Sequence, residues 1–201
     1  SWSIIGLPAR RAYSFRGHEL SVSEDGIEIE HRHVDDPLAE VERIRTAQRV
    51  PEVPGLPGFG GGLVGWFGFE SIGYIEPRFI EQTKPDELDT PDILLMQSDE
   101  LAVFDNLKGR LYLIVHAEAE APHAYARAHR RLDALVHRLR QAGSGYPETL
   151  QGQVLDEEDF KSGFSREGYI NAVEQVKDYI RSGDVFQVVL SQRLSVPFHA
   201  R

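Results

Sequence analysis

Gln187, Ser191 and Arg193 lie four and two residues apart in the run DVFQVVLSQRLSVPF. In an extended chain they therefore point to one side, together with Val185, Val189 and Ser195. Two hydrogen-bonding side chains and one guanidinium on a strand face could meet a polar, anionic ligand at the wall of a cleft. A half-exposed strand face produces the same pattern, so the pattern alone leaves both readings open. The other candidates for chemistry are thinner. There are eight histidines but no HExxH pair, and His31 and His33 share a strand face without an obvious third ligand, so no structural zinc site is expected. GxSxG is absent. The carboxylates Asp99-Glu100 and Asp156 to Asp159 fall in turn or linker context and read as solvated surface. The segment PGLPGFGGGLVGWFGFE has no Lys-Ser/Thr after its glycines and leads into a strand, which argues against a phosphate cradle. Close backbone approach and tight packing beside Trp66, Phe67 and Phe69 explain those glycines better. The residue types and spacings alone yield no catalytic constellation.

The elements that would position these groups are legible in part. Residues 2–33 read as a meander of short strands over 2–7, 12–15, 19–23 and 27–31, with Asp25-Gly26 as a hairpin turn. Residues 36–49 carry Leu38, Val41 and Ile44 at helical spacing, with Pro37 suited to the first turn. Three Pro and five Gly make residues 51–62 a loop. Residues 63–69 are a strand candidate, and residues 85–91 an acidic loop. Strands over 92–105 and 110–118 are joined by a hairpin turn at 106–109. The spacing of Leu132, Leu135, Val136 and Leu139 predicts a helix over 122–142, stopped by Gly143, with a solvated face of Arg and His. Residues 143–163 are polar and acidic, as in a linker. Then comes a helix from the cap Ser165 to the stop Gly183, with Tyr169, Val173, Val176 and Ile180 on one face. It feeds the long alternating strand that holds Gln187 and Ser191.

Composition bounds the function. With 41% hydrophobic and 27% charged residues, the 201-residue chain has the make-up of a globular protein. It has no Cys, which excludes disulfides, thiolate metal sites and a cysteine nucleophile and fits a reducing cytoplasm. Against 22 basic residues stand 32 acidic ones, for a net charge of −10, which argues against a nucleic-acid partner. Neither a signal peptide nor an apolar run of membrane-spanning length is visible. The chain opens on Ser1 in mid-strand and closes three residues after a helix–strand unit, so a longer parent polypeptide is expected.

Residues 164–198 resemble the opening of the chorismate-binding domain of anthranilate synthase component I, through Phe164, Tyr169 and the run GDVFQVVLSQR. GGLVGWFGFESIGYIEPRF, DTPDILLM, VFDN and WSIIGLPAR are similar to upstream segments of the same family. The resemblance implies an α+β fold with largely antiparallel sheets. It implies a regulatory domain over 1–150, a linker over 151–163 and the start of a chorismate-binding domain over 164–201. It also implies an enzyme that converts chorismate and ammonia to anthranilate and pyruvate in tryptophan biosynthesis. Mg²⁺ would serve as cofactor, a partner glutamine amidotransferase subunit would supply the ammonia, and L-tryptophan would inhibit. The family's catalytic and metal-binding groups correspond to no residue here, so the fragment alone is expected to be inactive. Ser3 falls near the family's tryptophan pocket, and Gln187 and Ser191 could face the chorismate cleft. Arg11 and Arg78 are surface candidates for subunit contact. Two alternatives stay open. One is the aminodeoxychorismate relative, although its strand carries Asn where Val189 stands here. The other is a non-catalytic module that senses an amino acid or docks a partner.

Overall fold

The computed structural model describes residues 1–48, 50–82, 86, 88–141 and 155–197. They belong to two compact units, Ser1–Gly143 and Ser144–Arg201. The first holds eight strands: β1 (Trp2–Gly6), β2 (Arg11–Arg16), β3 (Glu19–Glu24), β4 (Ile27–His33), β5 (Gly62–Phe67), β6 (Ile93–Ser98), β7 (Glu100–Asp105) and β8 (Arg110–Val115). Its helices are α1 (Pro37–Ala47) and α2 (Ala124–Gln141). Two 3-10 helices, Phe69–Tyr74 and Pro77–Gln82, follow β5. Five strands form one sheet in the order β4-β3-β2-β6-β5, and three form another in the order β1-β7-β8. Every pairing in both sheets is antiparallel, as the sequence predicts.

The register explains the core. Phe15 stands opposite Leu20 on β3 and Ile93 on β6, while Tyr13 stands opposite Val22 and Leu95. These six side chains share one face of the sheet, and all are buried. Ile44 joins them from α1, with Leu38 and Val41 packed alongside. Local chemistry starts that helix: the Asp36 carboxylate accepts from the Ala39 N–H at 3.0 Å, and Pro37 follows the cap. Asp25 (φ +51°) and Gly26 (φ +81°) form the β3–β4 turn, as the Asp-Gly pair requires. The predicted meander is corrected in one respect. β1 leaves it and pairs with β7, some hundred residues on, with Ser3 opposite Phe104. The predicted strand over 92–105 is two strands, because the chain passes from one sheet to the other at Asp99.

The glycines after the loop are needed for close approach. A Cβ at Gly65 would collide with the carbonyl of Leu94 on the neighbouring strand. The accompanying prediction of tight packing by the aromatics is overturned. Trp66, Phe67 and Phe69 are 43%, 53% and 83% exposed, because Trp66 lies on the sheet face opposite the core and Phe69 lies in the 3-10 helix beyond the sheet edge. On α2, Leu135 is buried but Leu139 is exposed, so the apolar stripe ends a turn early. Arg131 on this helix makes a two-pronged contact with Glu100, both bonds 2.7 Å. The proposed stop at Gly143 lies outside the described residues.

The second unit contains a 3-10 turn Glu157–Asp159, β9 (Lys161–Ser162), α3 (Arg166–Ser182) and β10 (Leu194–Ser195). Ser165 caps α3 by accepting from the Gly168 N–H at 3.0 Å, and Gly183 ends it at φ +83°. Tyr169, Val173 and Val176 are half-buried, while Ile180 is exposed. The long strand predicted after Gly183 is not formed. Only β10 pairs, with β9, and residues 184–193 form no strand. The alternation is present, but none of the described strands pairs with residues 184–193 in a ladder, and alternation without a ladder does not make a strand. Phe186 is accordingly 95% exposed. No described helix is long and apolar enough to cross a membrane.

The register puts one fully buried side chain at the centre of the five-stranded sheet's core. Phe15, fully buried, anchors both flanking strands. Replacing it with Ala should cost about 3–5 kcal/mol in urea-induced unfolding, and a loss below about 1 kcal/mol would contradict this placement.

Candidate functional site

Ser3, Gln187 and Ser191 are not brought into one pocket within either unit. Ser3 sits on β1, where its hydroxyl accepts from the Asn106 side-chain amide at 3.0 Å, tying the edge strand to the β7–β8 turn. Gln187 and Ser191 lie between α3 and β10, outside any strand, and are exposed. A few residues away, the Tyr169 hydroxyl donates to the Leu190 carbonyl at 3.1 Å and holds that stretch against α3. Arg11 is cross-strand from Glu24 and pairs with it at 3.0 Å. Arg78 pairs with Glu76 at 3.2 Å, and its guanidinium lies 5.4 Å from the centre of the Phe79 ring. His31 and His33 do share a face, and both approach Glu19, at 3.4 and 3.0 Å. Among the described residues no three His, Asp or Glu side chains are grouped to hold a metal.

The richest polar constellation lies in the first unit. Gln48, just after α1, donates to the Tyr13 hydroxyl at 3.2 Å and to the Gln97 side-chain carbonyl at 2.8 Å. The Gln97 amide in turn donates to both Asp99 oxygens, at 3.1 and 2.9 Å. Asp99 faces His116 Nδ1 at 3.6 Å, and the other ring nitrogen, Nε2, lies 2.6 Å from the Gly60 carbonyl. The chain of contacts thus runs from the end of α1, across the floor of the sheet, to the glycine-rich loop. His116 holds the Asp99 carboxyl below its usual range, with Gln97 assisting and burial opposing. Asp99 pushes the His116 imidazole above its usual value, with burial again opposing.

This arrangement corrects the reading of Asp99-Glu100 as a solvated pair. Asp99 is tied into the network and Glu100 into the Arg131 contact. The sequence carried no local signal for either, because Gln48, Gln97 and His116 meet only through tertiary pairing of α1, β6 and the residue after β8. Beside the network lies a groove of about 390 Å³ between α1 and the sheet, lined by Arg11, Tyr13, Ile29, Gln48 and Gln97 among others. Its size suits a small ligand. Its polar groups, however, satisfy each other: Arg11 is engaged by Glu24, and Tyr13 and Gln48 by Gln97. It reads as the packed end of α1.

The buried Asp105 is satisfied at one oxygen only, its Oδ2 being buried without a hydrogen-bond partner among the described residues. Asp105 Oδ1 accepts from the N–H groups of Leu107 and Lys108 at 3.1 and 3.0 Å and shapes the hairpin turn before β8. In the network itself, Gln97 is the central member, since it both accepts and donates. Gln97→Met, similar in length but unable to hydrogen-bond, should destabilise the chain by about 1–3 kcal/mol, measured by chemical denaturation. A neutral effect would mean that water replaces the network without cost.

The comparisons with known proteins agree with this fold. The profile of the chorismate binding enzymes matches residues 9–201. Anthranilate synthase component 1 of Pseudomonas aeruginosa is 46% identical over 203 residues, covering 99% of this chain and 41% of that protein. The same enzyme component from Neisseria meningitidis serogroup B is 42% identical over 98% of this chain and 40% of that protein. Among solved structures, anthranilate synthase component I from Streptococcus pneumoniae TIGR4 superposes with a TM-score of 0.79 at 28% identity, covering 100% of this chain and 42% of that one. The chain therefore spans about two fifths of the length of the curated relatives it matches. With the family profile matched over nearly all of its length, the chain belongs to the chorismate-binding enzymes.

Proposed function

We propose that this chain is part of an anthranilate synthase component I. The parent enzyme would convert chorismate and ammonia to anthranilate and pyruvate on the route to tryptophan. The observation that carries this reading is 46% identity across 99% of the chain to a relative of that name. In this proposal residues 1–150 belong to a regulatory domain that responds to tryptophan, residues 151–163 link it onward, and residues 164–201 open the chorismate-binding domain. Ammonia would come from glutamine through a partner amidotransferase subunit, a second component being implied by the relatives' naming as component 1.

The roles of individual residues follow from their placement. Chorismate is a dicarboxylate, and the amide of Gln187 and the hydroxyl of Ser191 are hydrogen-bond donors of the kind a carboxylate accepts. Both are exposed, in a stretch between α3 and β10 that forms no strand. In the complete sheet that stretch would become a paired strand, presenting Gln187 and Ser191 to the cleft. Ser3, on the edge strand β1, would lie at the margin of the tryptophan pocket. Mg²⁺, which in this chemistry neutralises a substrate carboxylate, finds no fitting group of ligands among the described residues. No step is therefore assigned to it here.

The assay follows directly. The 201-residue chain, mixed with chorismate, ammonia and Mg²⁺, should give no anthranilate fluorescence. A polypeptide extended to the length of the relatives should produce anthranilate and pyruvate in equal amounts, with tryptophan suppressing both. If the extended protein consumed chorismate without releasing pyruvate, it would be an aminodeoxychorismate synthase instead. Anthranilate formation by the 201-residue chain would refute the proposed division of labour.

A further inference from the structure

His116 stands just beyond β8 with an acceptor at each ring nitrogen: the Asp99 carboxylate 3.6 Å from Nδ1 and the Gly60 carbonyl 2.6 Å from Nε2. A neutral imidazole carries one N–H and one lone pair, so it can satisfy only one of the two and turns a lone pair towards the other. The Gly60 contact is a hydrogen bond that a neutral ring with its proton on Nε2 can still donate, whereas the Asp99 contact at 3.6 Å is an ion pair that only the imidazolium can make. The backbone next to it is built around this ring. Gly61 and Gly62 take φ values of +136° and +131°, and a Cβ on Gly61 would collide with the His116 ring and come within 2.8 Å of the Ser98 carbonyl. The turn that starts β5 is thus clamped between His116 and the end of β6.

We propose that His116 is a proton-operated latch on the Gly60–Gly62 turn, tightest when the charged imidazole is also drawn to Asp99 and loosened when it loses its proton. The groups that face the pair agree with this. Asp99, between β6 and β7, supplies the counter-charge, and Arg11 on β2 favours the ionised state of Asp99. Gln97 on β6 donates two hydrogen bonds to Asp99 and fixes its direction. The loop side contributes a carbonyl and no charge. The sign follows from the direction of the shift. The folded-state value of His116 lies above its ordinary 6.5, so the stabilisation that its charge adds is fully present below 6.5 and lost as pH rises through the raised value. Asp99 works in the opposite direction: its folded value lies below the ordinary 3.8, so its contribution is lost only as pH falls through that lower value. The latch is tightest between these two limits.

The test joins two readouts on the same protein. The full chain with ¹³C-labelled histidine reports the His116 titration by NMR, and amide hydrogen exchange reports protection of residues 60–62 after correction for intrinsic rates. The latch requires His116 to titrate above 6.5, with the opening constant of residues 60–62 rising by up to about tenfold per pH unit across the same midpoint. Asp99→Asn keeps an acceptor for Gln97 but removes the charge, so it should move both midpoints down together. His116→Gln should leave the corrected protection of residues 60–62 flat with pH. If either variant fails to fold, the wild-type pair of curves decides. His116 titrating at or below 6.5, or protection that does not follow its titration, overturns the proposal.

Discussion

A strand persists where its backbone finds a ladder, and the run from β6 through β7 meets that condition on both edges. β6 is paired by β2 and β5, and β7 by β1 and β8. Because the two strands are separated only by Asp99, the chain crosses from one sheet to the other there within a single residue. The core and the polar network both hang on this junction. Ile93 and Leu95 pair with Phe15 and Tyr13 on one side of it, while Leu101 and Val103 lie buried on the other. The burial of polar groups at such a crossing is costly unless each is paired, and Gln97, Asp99 and His116 supply the pairs.

The second unit shows what happens when the same condition is not met. Its alternation of Phe186, Val188 and Leu190 is cleaner than that of β6, yet β6 is a strand and residues 184–193 are not. Composition of the side chains is comparable; the difference is the supply of neighbouring backbone. Helix α3 does not depend on neighbours in the same way, since its hydrogen bonds are internal and its ends are closed by Ser165 and Gly183. The helix accordingly forms in full while residues 184–193 form no strand.

This contrast also explains which features were legible in the sequence. Local devices were: the Asp25-Gly26 turn, the Asp36-Pro37 start of α1, and the Ser165 and Gly183 ends of α3 all act within a few residues of themselves. The α+β class with antiparallel sheets was legible too, as what the family resemblance of segments along the chain implies. Long-range pairings were not. Nothing near Trp2–Gly6 marks β7 as its partner, and nothing near Asp99 marks it as a junction. The 3-10 helices at Phe69–Tyr74 and Pro77–Gln82 also escaped: the apolar run reads as a strand as far as Phe69, and from sequence residues 70–84 are given no element. At the candidate site, Ser3 was picked out by resemblance, but its tie to Asn106 came only from the fold. Gln97 and His116 were missed because the partners that give them meaning lie on other elements.

The central claim is that ladder supply, more than side-chain pattern, decides which runs of this chain are ordered strands. Amide hydrogen exchange along the whole 201-residue chain tests it most directly. The account predicts slow exchange through Ile93–Ser98 and Glu100–Asp105, at the level set by global unfolding, and near-intrinsic exchange over most of residues 184–193. Protection of residues 184–193 equal to that of Ile93–Ser98 would contradict it.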